Sequence, residues 1–125
     1  MNKKLLFYVV LTMLIASCTT KNSWNYKSEY FGIEVNNKGY ITSMKNLTVQ
    51  PCQEFAIADR PSPILSLYNS KEKRYYYPSH ASFDRHTNIL TVDYPNGSVA
   101  EIVVESKDKY IKMTLLDVTP RNGVD

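Results

Sequence analysis

Two patterns of hydrophobic residues divide this chain. The first is a continuous apolar run over residues 5–16, interrupted only by Thr12. The second is a series of short stretches in which apolar and polar residues alternate. Alternation with a period of two is typical of β-strands that bury one face, whereas a helix repeats every three to four residues. No segment of similar length after residue 18 has the helical period, so this part of the chain is predicted to be all-β.

A hairpin is predicted at the start of the alternating region. Residues 30–35 alternate, with the apolar odd-numbered positions on one face. Residues 36–39 read Asn-Asn-Lys-Gly, and asparagine and glycine tolerate the positive backbone φ of a tight turn. Residues 40–44 then resume the extended pattern, which indicates the return strand.

The middle of the chain gives a weaker signal. Residues 47–63 contain three prolines and no clean period, which indicates a long connection with a short extended piece at residues 54–58. Short strands are predicted at residues 64–68 and 75–77, on either side of a charged turn. No strand is predicted for residues 78–86.

Three strands with short turns are predicted at residues 89–94, 99–105 and 110–118. They form a meander, with Glu101 and Glu105 on the polar face of the second strand. Two sheets are needed to cover each other's apolar faces, so the expected fold is an antiparallel β-sandwich with a C-terminal meander. The apolar faces are formed by Ala100, Ile102 and Val104 in the second strand and by Ile111, Met113 and Leu115 in the third.

The N-terminal apolar run resembles a bacterial lipoprotein signal peptide. Lys3 and Lys4 precede it, and it closes with Ile-Ala-Ser-Cys at residues 15–18, which is similar to a lipobox. In that motif the cysteine, here Cys18, becomes the first mature residue and carries fatty acyl groups such as palmitate. The run is shorter than the ~20 residues of a spanning helix. An ordinary secretory signal and a membrane anchor are the weaker alternatives.

These signals predict three parts: a signal peptide at residues 1–17, a lipidated polar tether at residues 18–29, and one β-sandwich domain at residues 30–125. The turn-like sequence that follows the last strand favours the front of a longer polypeptide or a truncated relative of one, with a solvated tail as the alternative. Lipidation would place the protein in the cell envelope. We expect the outer membrane, with the periplasmic or surface face left open. Cys52 would then lack an intramolecular partner.

The charge of the chain argues against nucleic acid as a partner. The chain has 15 basic and 12 acidic side chains, and two of the lysines belong to the predicted signal peptide. The mature part is therefore nearly neutral. It lacks the concentrated basic face that nucleic acid binding requires.

The polar residues do not form a recognisable catalytic or metal-binding pattern. His80, Asp84, His86 and Asp93 lie close in sequence, but their spacing does not match common metal-ligand motifs. The acidic residues fall mostly on polar strand faces. We therefore predict no catalytic residue, no metal and no cofactor, and keep a small enzyme that uses the region between His80 and Asp93 as a minor hypothesis.

Aromatic residues are the better functional candidates. The chain has ten tyrosines, three of them consecutive, and one tryptophan. Flat rings stack on the apolar faces of sugars, and alternation along a strand forces at least one of three consecutive rings outward. Trp24, Tyr75, Tyr76 and Tyr77 are therefore predicted to contact a glycan, with strand formation and packing as the alternative role.

The hairpin over residues 30–44 and the meander over residues 90–98 resemble the N-terminal β-sandwich domains of secreted glycoside hydrolases from Bacteroidetes-type bacteria. The resemblance implies a lipid-anchored, non-catalytic module associated with glycan processing, either the front domain or a remnant of such an enzyme. Because the catalytic carboxylates of that family generally lie in a following domain, no catalytic residue is carried over. The alternative is a free-standing glycan-binding or scaffold lipoprotein. Expected partners are the membrane, through the lipid, and a glycan or a following catalytic domain.

Overall fold

A computed structural model describes residues 22–120 of the chain, and its regular structure there consists entirely of β-strands. The predicted signal peptide and Cys18 lie outside the described residues. The strands are β1 (Asn22–Lys27), β2 (Phe31–Asn36), β3 (Tyr40–Asn46), β4 (Gln53–Glu54), β5 (Ser62–Pro63), β6 (Leu67–Asn69), β7 (Arg74–Tyr76), β8 (His80–Asp84), β9 (Ile89–Asp93), β10 (Val99–Ser106) and β11 (Ile111–Thr119).

The strands form two main antiparallel sheets and a separate hairpin. The first sheet has the order β1-β2-β3, and both β4 and β5 pair with β3. The second sheet has the order β11-β10-β9-β8, while β6 and β7 pair only with each other. The predicted all-β fold, an antiparallel β-sandwich with a C-terminal meander, is confirmed.

The β2–β3 turn forms as its residue types predict. The side-chain oxygen Oδ1 of Asn36 accepts hydrogen bonds from the backbone N–H groups of Lys38 and Tyr40, each at 3.0 Å. Gly39 has a φ of +86°, and a Cβ at this position would lie 2.7 Å from the Cβ of Pro78. Glycine is therefore required both by the backbone conformation and by the close approach of the segment that leads into β8.

The core lies where the inner faces of the two main sheets meet. Val35, Leu90 and Val92 are completely buried there. In β10 the apolar residues alternate with more exposed ones, as predicted from the sequence. Each fully buried aliphatic side chain of this kind contributes about 1.5–3 kcal/mol relative to exposure. The buried apolar residues are Trp24, Ile33, Val35, Leu67, Ala81, Leu90, Val92, Tyr94, Ala100, Ile102 and Val104.

The sandwich is closed along one edge and open along the other. At the closed edge, Trp24 of β1 packs against Phe83 of β8 with ring centroids 6.0 Å apart. At the open edge, Met113 and Leu115 of β11 pair with the buried residues Val104 and Ile102 and so share their face. They nevertheless remain 36% and 52% exposed. No described strand of the first sheet covers them.

Two regions differ from the sequence predictions. Residues 22–27, predicted as part of a polar tether, form β1 and pair with β2, so the folded part begins at or before Asn22. Only Trp24 and Tyr26 give this strand an apolar face, and a single large ring provides the burial that several aliphatic residues usually supply. Residues 80–84, for which no strand was predicted, form β8, whose inner face consists of Ala81 and Phe83.

The predicted short strands in the middle are shifted or shortened. The strand predicted at residues 64–68 lies at Leu67–Asn69, and the one predicted at residues 75–77 lies at Arg74–Tyr76. Of the extended piece predicted at residues 54–58, only Glu54 belongs to a strand. Prolines interrupt the alternation in this segment, so the sequence gives no register.

Candidate functional site

One candidate site is an aromatic surface on the β6–β7 hairpin, formed by Tyr68, Tyr75 and Tyr77 and called here the tyrosine surface. Tyr68 pairs directly with Tyr75, and their ring centroids lie 5.0 Å apart. Tyr75 and Tyr77 are separated by one residue and are 59% and 53% exposed. The prediction that alternation turns at least one of the three consecutive rings outward is confirmed.

The hairpin that carries this surface is closed by a buried asparagine. The side-chain oxygen Oδ1 of Asn69 accepts the backbone N–H groups of Lys71 and Glu72 at 3.0 and 3.1 Å. Asn69 is itself buried, so these bonds are partly shielded from solvent. Lys73 takes a positive φ of 54° to complete the turn. The turn fixes the register that places Tyr75 beside Tyr68.

Tyr76 points to the other side of the hairpin and is only partly exposed. It packs against the core, and its hydroxyl donates a hydrogen bond to the carboxylate of Glu72. This hydrogen bond raises the pKa of Tyr76 above its usual value. The guanidinium carbon of Arg74 lies 4.8 Å from the centre of the same ring. Tyr76 therefore supports the hairpin from behind and does not belong to the tyrosine surface.

Trp24, the fourth aromatic residue predicted to contact a glycan, does not lie on this surface. It is 6% exposed and packs against Phe83 within the core. A ring enclosed in this way cannot stack on a sugar. The structure thus pairs Tyr75 with Tyr68, leaves Tyr77 exposed directly after β7, and places Tyr76 and Trp24 elsewhere.

A second candidate site is a groove along the open edge of the sandwich, called here the open groove. It has a volume of about 640 Å³ and lies between the first sheet and β11. This volume is within the roughly 300–1,000 Å³ typical of ligand sites. Its walls include Ile41, Met44 and Phe55 on one side and Ile111 and Met113 on the other. The sequence indicated the apolar face of β11 but gave no sign that it would stay uncovered.

One end of the open groove is polar and basic. Lys45, Asn46 and Lys109 line it, and the Nζ atom of Lys109 lies 5.3 Å from the centre of the Tyr30 ring. None of the described residues that line the groove is acidic. The groove therefore combines apolar walls with a positively charged end.

Glu54 fixes the segment that carries Phe55 to the edge of the groove. Its carboxylate accepts hydrogen bonds from the hydroxyl of Ser43 at 2.7 Å and from the backbone N–H groups of Met44 and Ala56 at 2.6 and 2.9 Å. Slight burial acts to raise the pKa of Glu54, but these hydrogen bonds and the charge of Lys45 lower it below the usual value.

The polar residues considered for metal binding or catalysis form only a single pair. His80 Nδ1 and Asp93 Oδ2 lie 3.1 Å apart on the exposed β8–β9 surface. Asp84 instead accepts the backbone N–H of His86 at 2.8 Å, which is a local turn contact. Within residues 22–120, no three histidine, cysteine or acidic side chains are placed to share a metal ion.

Two further residues were not assigned a role from the sequence. Tyr94 is buried, and its hydroxyl donates a hydrogen bond to the backbone oxygen of Leu65 at 3.0 Å, which ties the middle connection to β9. Burial raises the pKa of Tyr94. Cys52 is an exposed free thiol within the described part of the chain.

Comparison of this chain with protein-family models, curated proteins and solved structures finds no match. In the part of the chain that the structure describes, no helix has the length and apolar character needed to cross a membrane. The fold and the two surfaces therefore define the chain as an antiparallel β-sandwich with an exposed aromatic surface and an open apolar groove.

Proposed function

We propose that this chain is a lipid-anchored, non-catalytic β-sandwich module that serves glycan processing, as the front domain or a remnant of a glycoside hydrolase. The observation that carries the proposal is the tyrosine surface, where Tyr75 packs beside Tyr68 and both Tyr75 and Tyr77 are more than half exposed. The resemblance of the hairpin and the meander to N-terminal domains of such enzymes supports the same role.

The tyrosine surface has the physical properties of a sugar-binding platform. Aromatic faces stack on the C–H faces of sugar rings, and phenolic hydroxyls orient the sugar through hydrogen bonds. The Asn69 turn and the contact between Tyr76 and Glu72 hold the hairpin in place before a ligand arrives. A preorganised surface loses less conformational entropy when it binds.

The lipid anchor is the second part of the proposal. Cleavage before Cys18 would leave four peptide units between the acylated residue and Asn22, where β1 begins. Such a segment spans at most about 14 Å. The sandwich would therefore stay close to the membrane surface, and a bound polysaccharide would be retained at the cell envelope.

The glycan-binding test uses affinity electrophoresis in gels that contain individual polysaccharides. The Cys18→Ala protein should be retarded by at least one polysaccharide, and Tyr75→Ala combined with Tyr77→Ala should weaken that binding by about tenfold or more, since stacking of each ring contributes on the order of 1 kcal/mol. Tyr110→Ala is the matched control, because Tyr110 is equally exposed but lies at the open groove. Equal retardation of the double variant and the control would contradict the proposal.

The anchoring test is fractionation of cells that produce the full chain. The unaltered protein should sediment with membranes and incorporate labelled palmitate, while Cys18→Ala should do neither. Cys52→Ala is the control, because it removes the other cysteine and should leave both properties unchanged. Continued membrane association of the Cys18→Ala protein would contradict lipid anchoring.

A free-standing glycan-binding or scaffold lipoprotein is the second candidate. The tyrosine surface supports both candidates equally. The open groove favours the front-domain role, because isolated soluble domains rarely expose a large continuous apolar patch.

A further inference from the structure

The edge strand β11 combines two features that together point to a partner. It runs for nine residues, and among the described strands it pairs only with β10. Its outer edge therefore offers backbone N–H and C=O groups to a further strand. The face that it turns toward the sandwich interior carries Ile111, Met113 and Leu115, and the last two are 36% and 52% exposed.

The open groove lies directly beneath this edge. Met113 belongs to both features, and Met44 and Phe55 form the opposite wall. A strand added to β11 would direct every second side chain into the groove, because side chains alternate between the two faces of a sheet. This is the geometry of β-strand addition, in which the backbone supplies hydrogen bonds and the pockets select alternate side chains.

The charges at the groove predict one further property of the incoming strand. Lys45 and Lys109 line one end, and none of the described lining residues is acidic. Lys112, on the other face of β11, already pairs with Glu105 at 3.1 Å. Lys45 already acts on the Glu54 carboxylate, whereas Lys109 lies over the Tyr30 ring. An acidic side chain of the partner would therefore be complementary to Lys109.

We propose that β11 and the open groove receive an extended strand from the catalytic polypeptide that the module serves. This strand alternates apolar side chains, which fill the groove against Met44 and Met113, and carries an acidic residue that lies beside Lys109. The proposal rests on the proposed function for the source of the strand. The apolar and acidic side chains expected in the strand follow from the residues that line the groove.

The test uses a fluorescent synthetic peptide that alternates isoleucine and threonine and has glutamate at both ends. Binding to the Cys18→Ala protein is followed by fluorescence anisotropy. The peptide should bind, and Met113→Glu should weaken binding by about tenfold or more, because it places a charge against the apolar side chains of the peptide. Thr114→Glu is the matched control, since it adds the same charge to the opposite face of the same strand and should change binding by less than about twofold.

Two additional measurements separate strand pairing from other causes. A peptide methylated on alternate backbone nitrogens loses donors along one edge and should not bind, while its side chains are unchanged. Leu115→Glu places the same charge on the same face of β11 at a more exposed position, in case Met113→Glu unfolds the protein. Thermal unfolding of each variant checks that the fold is retained.

Three results would overturn the proposal: absence of peptide binding, equal binding of the methylated peptide, or a stable dimer of the chain that Met113→Glu dissociates. The dimer would identify a second copy as the occupant of the edge. These results are independent of the polysaccharide test. Peptide binding without glycan retention would refute the glycan role alone, and the reverse result would refute the strand docking alone.

Discussion

The closed and open edges of the sandwich are built from the same kinds of residue but end in different states. At the closed edge, Trp24 from one sheet and Phe83 from the other fill the space between β1 and β8. At the open edge, Met113 and Leu115 occupy equivalent inward positions on β11 and remain partly in water. The difference shows that inward direction and burial are separate properties, because burial also requires an opposing element.

Because of this difference, we expect the closed edge to contribute to folding stability and the open edge to contribute to partner binding. A side chain that is already buried contributes to folding, whereas an exposed apolar side chain contributes mainly when a partner covers it. The closed edge should therefore respond strongly to truncation of its side chains. The open edge should tolerate truncation in the free protein and respond when it binds a strand.

The largest expected effect comes from truncating the two edges in parallel. Trp24→Ala should lower the free energy of unfolding by about 3–5 kcal/mol, because it leaves a large cavity in the core. Met113→Ala should lower it by less than about 1 kcal/mol, because the side chain is already partly hydrated. Urea unfolding followed by circular dichroism measures both. Similar losses for the two variants would show that β11 is covered in solution and would remove the distinction between the edges.

A smaller effect is expected at the turn that approaches the closed edge. Gly39→Ala should cost about 2–4 kcal/mol, because alanine is disfavoured at positive φ and its Cβ would overlap Pro78. Gly97→Ala is the control, since Gly97 has a similar φ of +83° but nothing within 4 Å of an added Cβ. It should cost only about 1 kcal/mol. Thermal unfolding compares the two variants, and equal losses would mean that the contact with Pro78 is not tight.

The sequence predicts β11 of the open edge but misses β1 and β8 of the closed edge, and the reason is physical. The alternation in β2 and β10 reflects burial by elements whose own patterns are also visible, so their faces could be assigned. β1 was missed because Trp24 and Tyr26 are its only apolar residues, and β8 because Ala81 and Phe83 give it a weak pattern.

The two candidate sites also differ in how far the sequence alone predicts them. The exposure of Tyr75 follows from alternation within one short strand, which is a local property of the sequence, and Tyr77 is exposed directly after that strand. The burial of Trp24 and the open groove depend on how distant segments cover one another. The segment that contains Phe55 reaches the groove through the polar contacts of Glu54, and no hydrophobic period marks such contacts.

The smallest expected effect tests those polar contacts through their dependence on pH. The pKa of Glu54 lies below its ordinary value of 4.5, so the stabilisation is complete above that value and is lost as the pH falls through the lower, folded-state pKa. Glu54→Gln should therefore be less stable than the unaltered protein at neutral pH and nearly equal to it in strong acid. Urea unfolding across this pH range measures the difference, and parallel curves at every pH would contradict it.

Hydrogen exchange of backbone amides shows which part of the molecule the Glu54→Gln substitution destabilises. In Glu54→Gln the backbone amides of Met44 and Ala56, which donate to the carboxylate, should exchange faster, while amides of the buried β9–β10 pair should not change. Ser43→Ala removes one of the three hydrogen bonds and should give an intermediate rate. A change spread equally over both sheets would mean that Glu54 stabilises the whole sandwich. A change confined to Met44 and Ala56 would show that a few surface hydrogen bonds position one wall of the open groove, while apolar burial holds the closed edge.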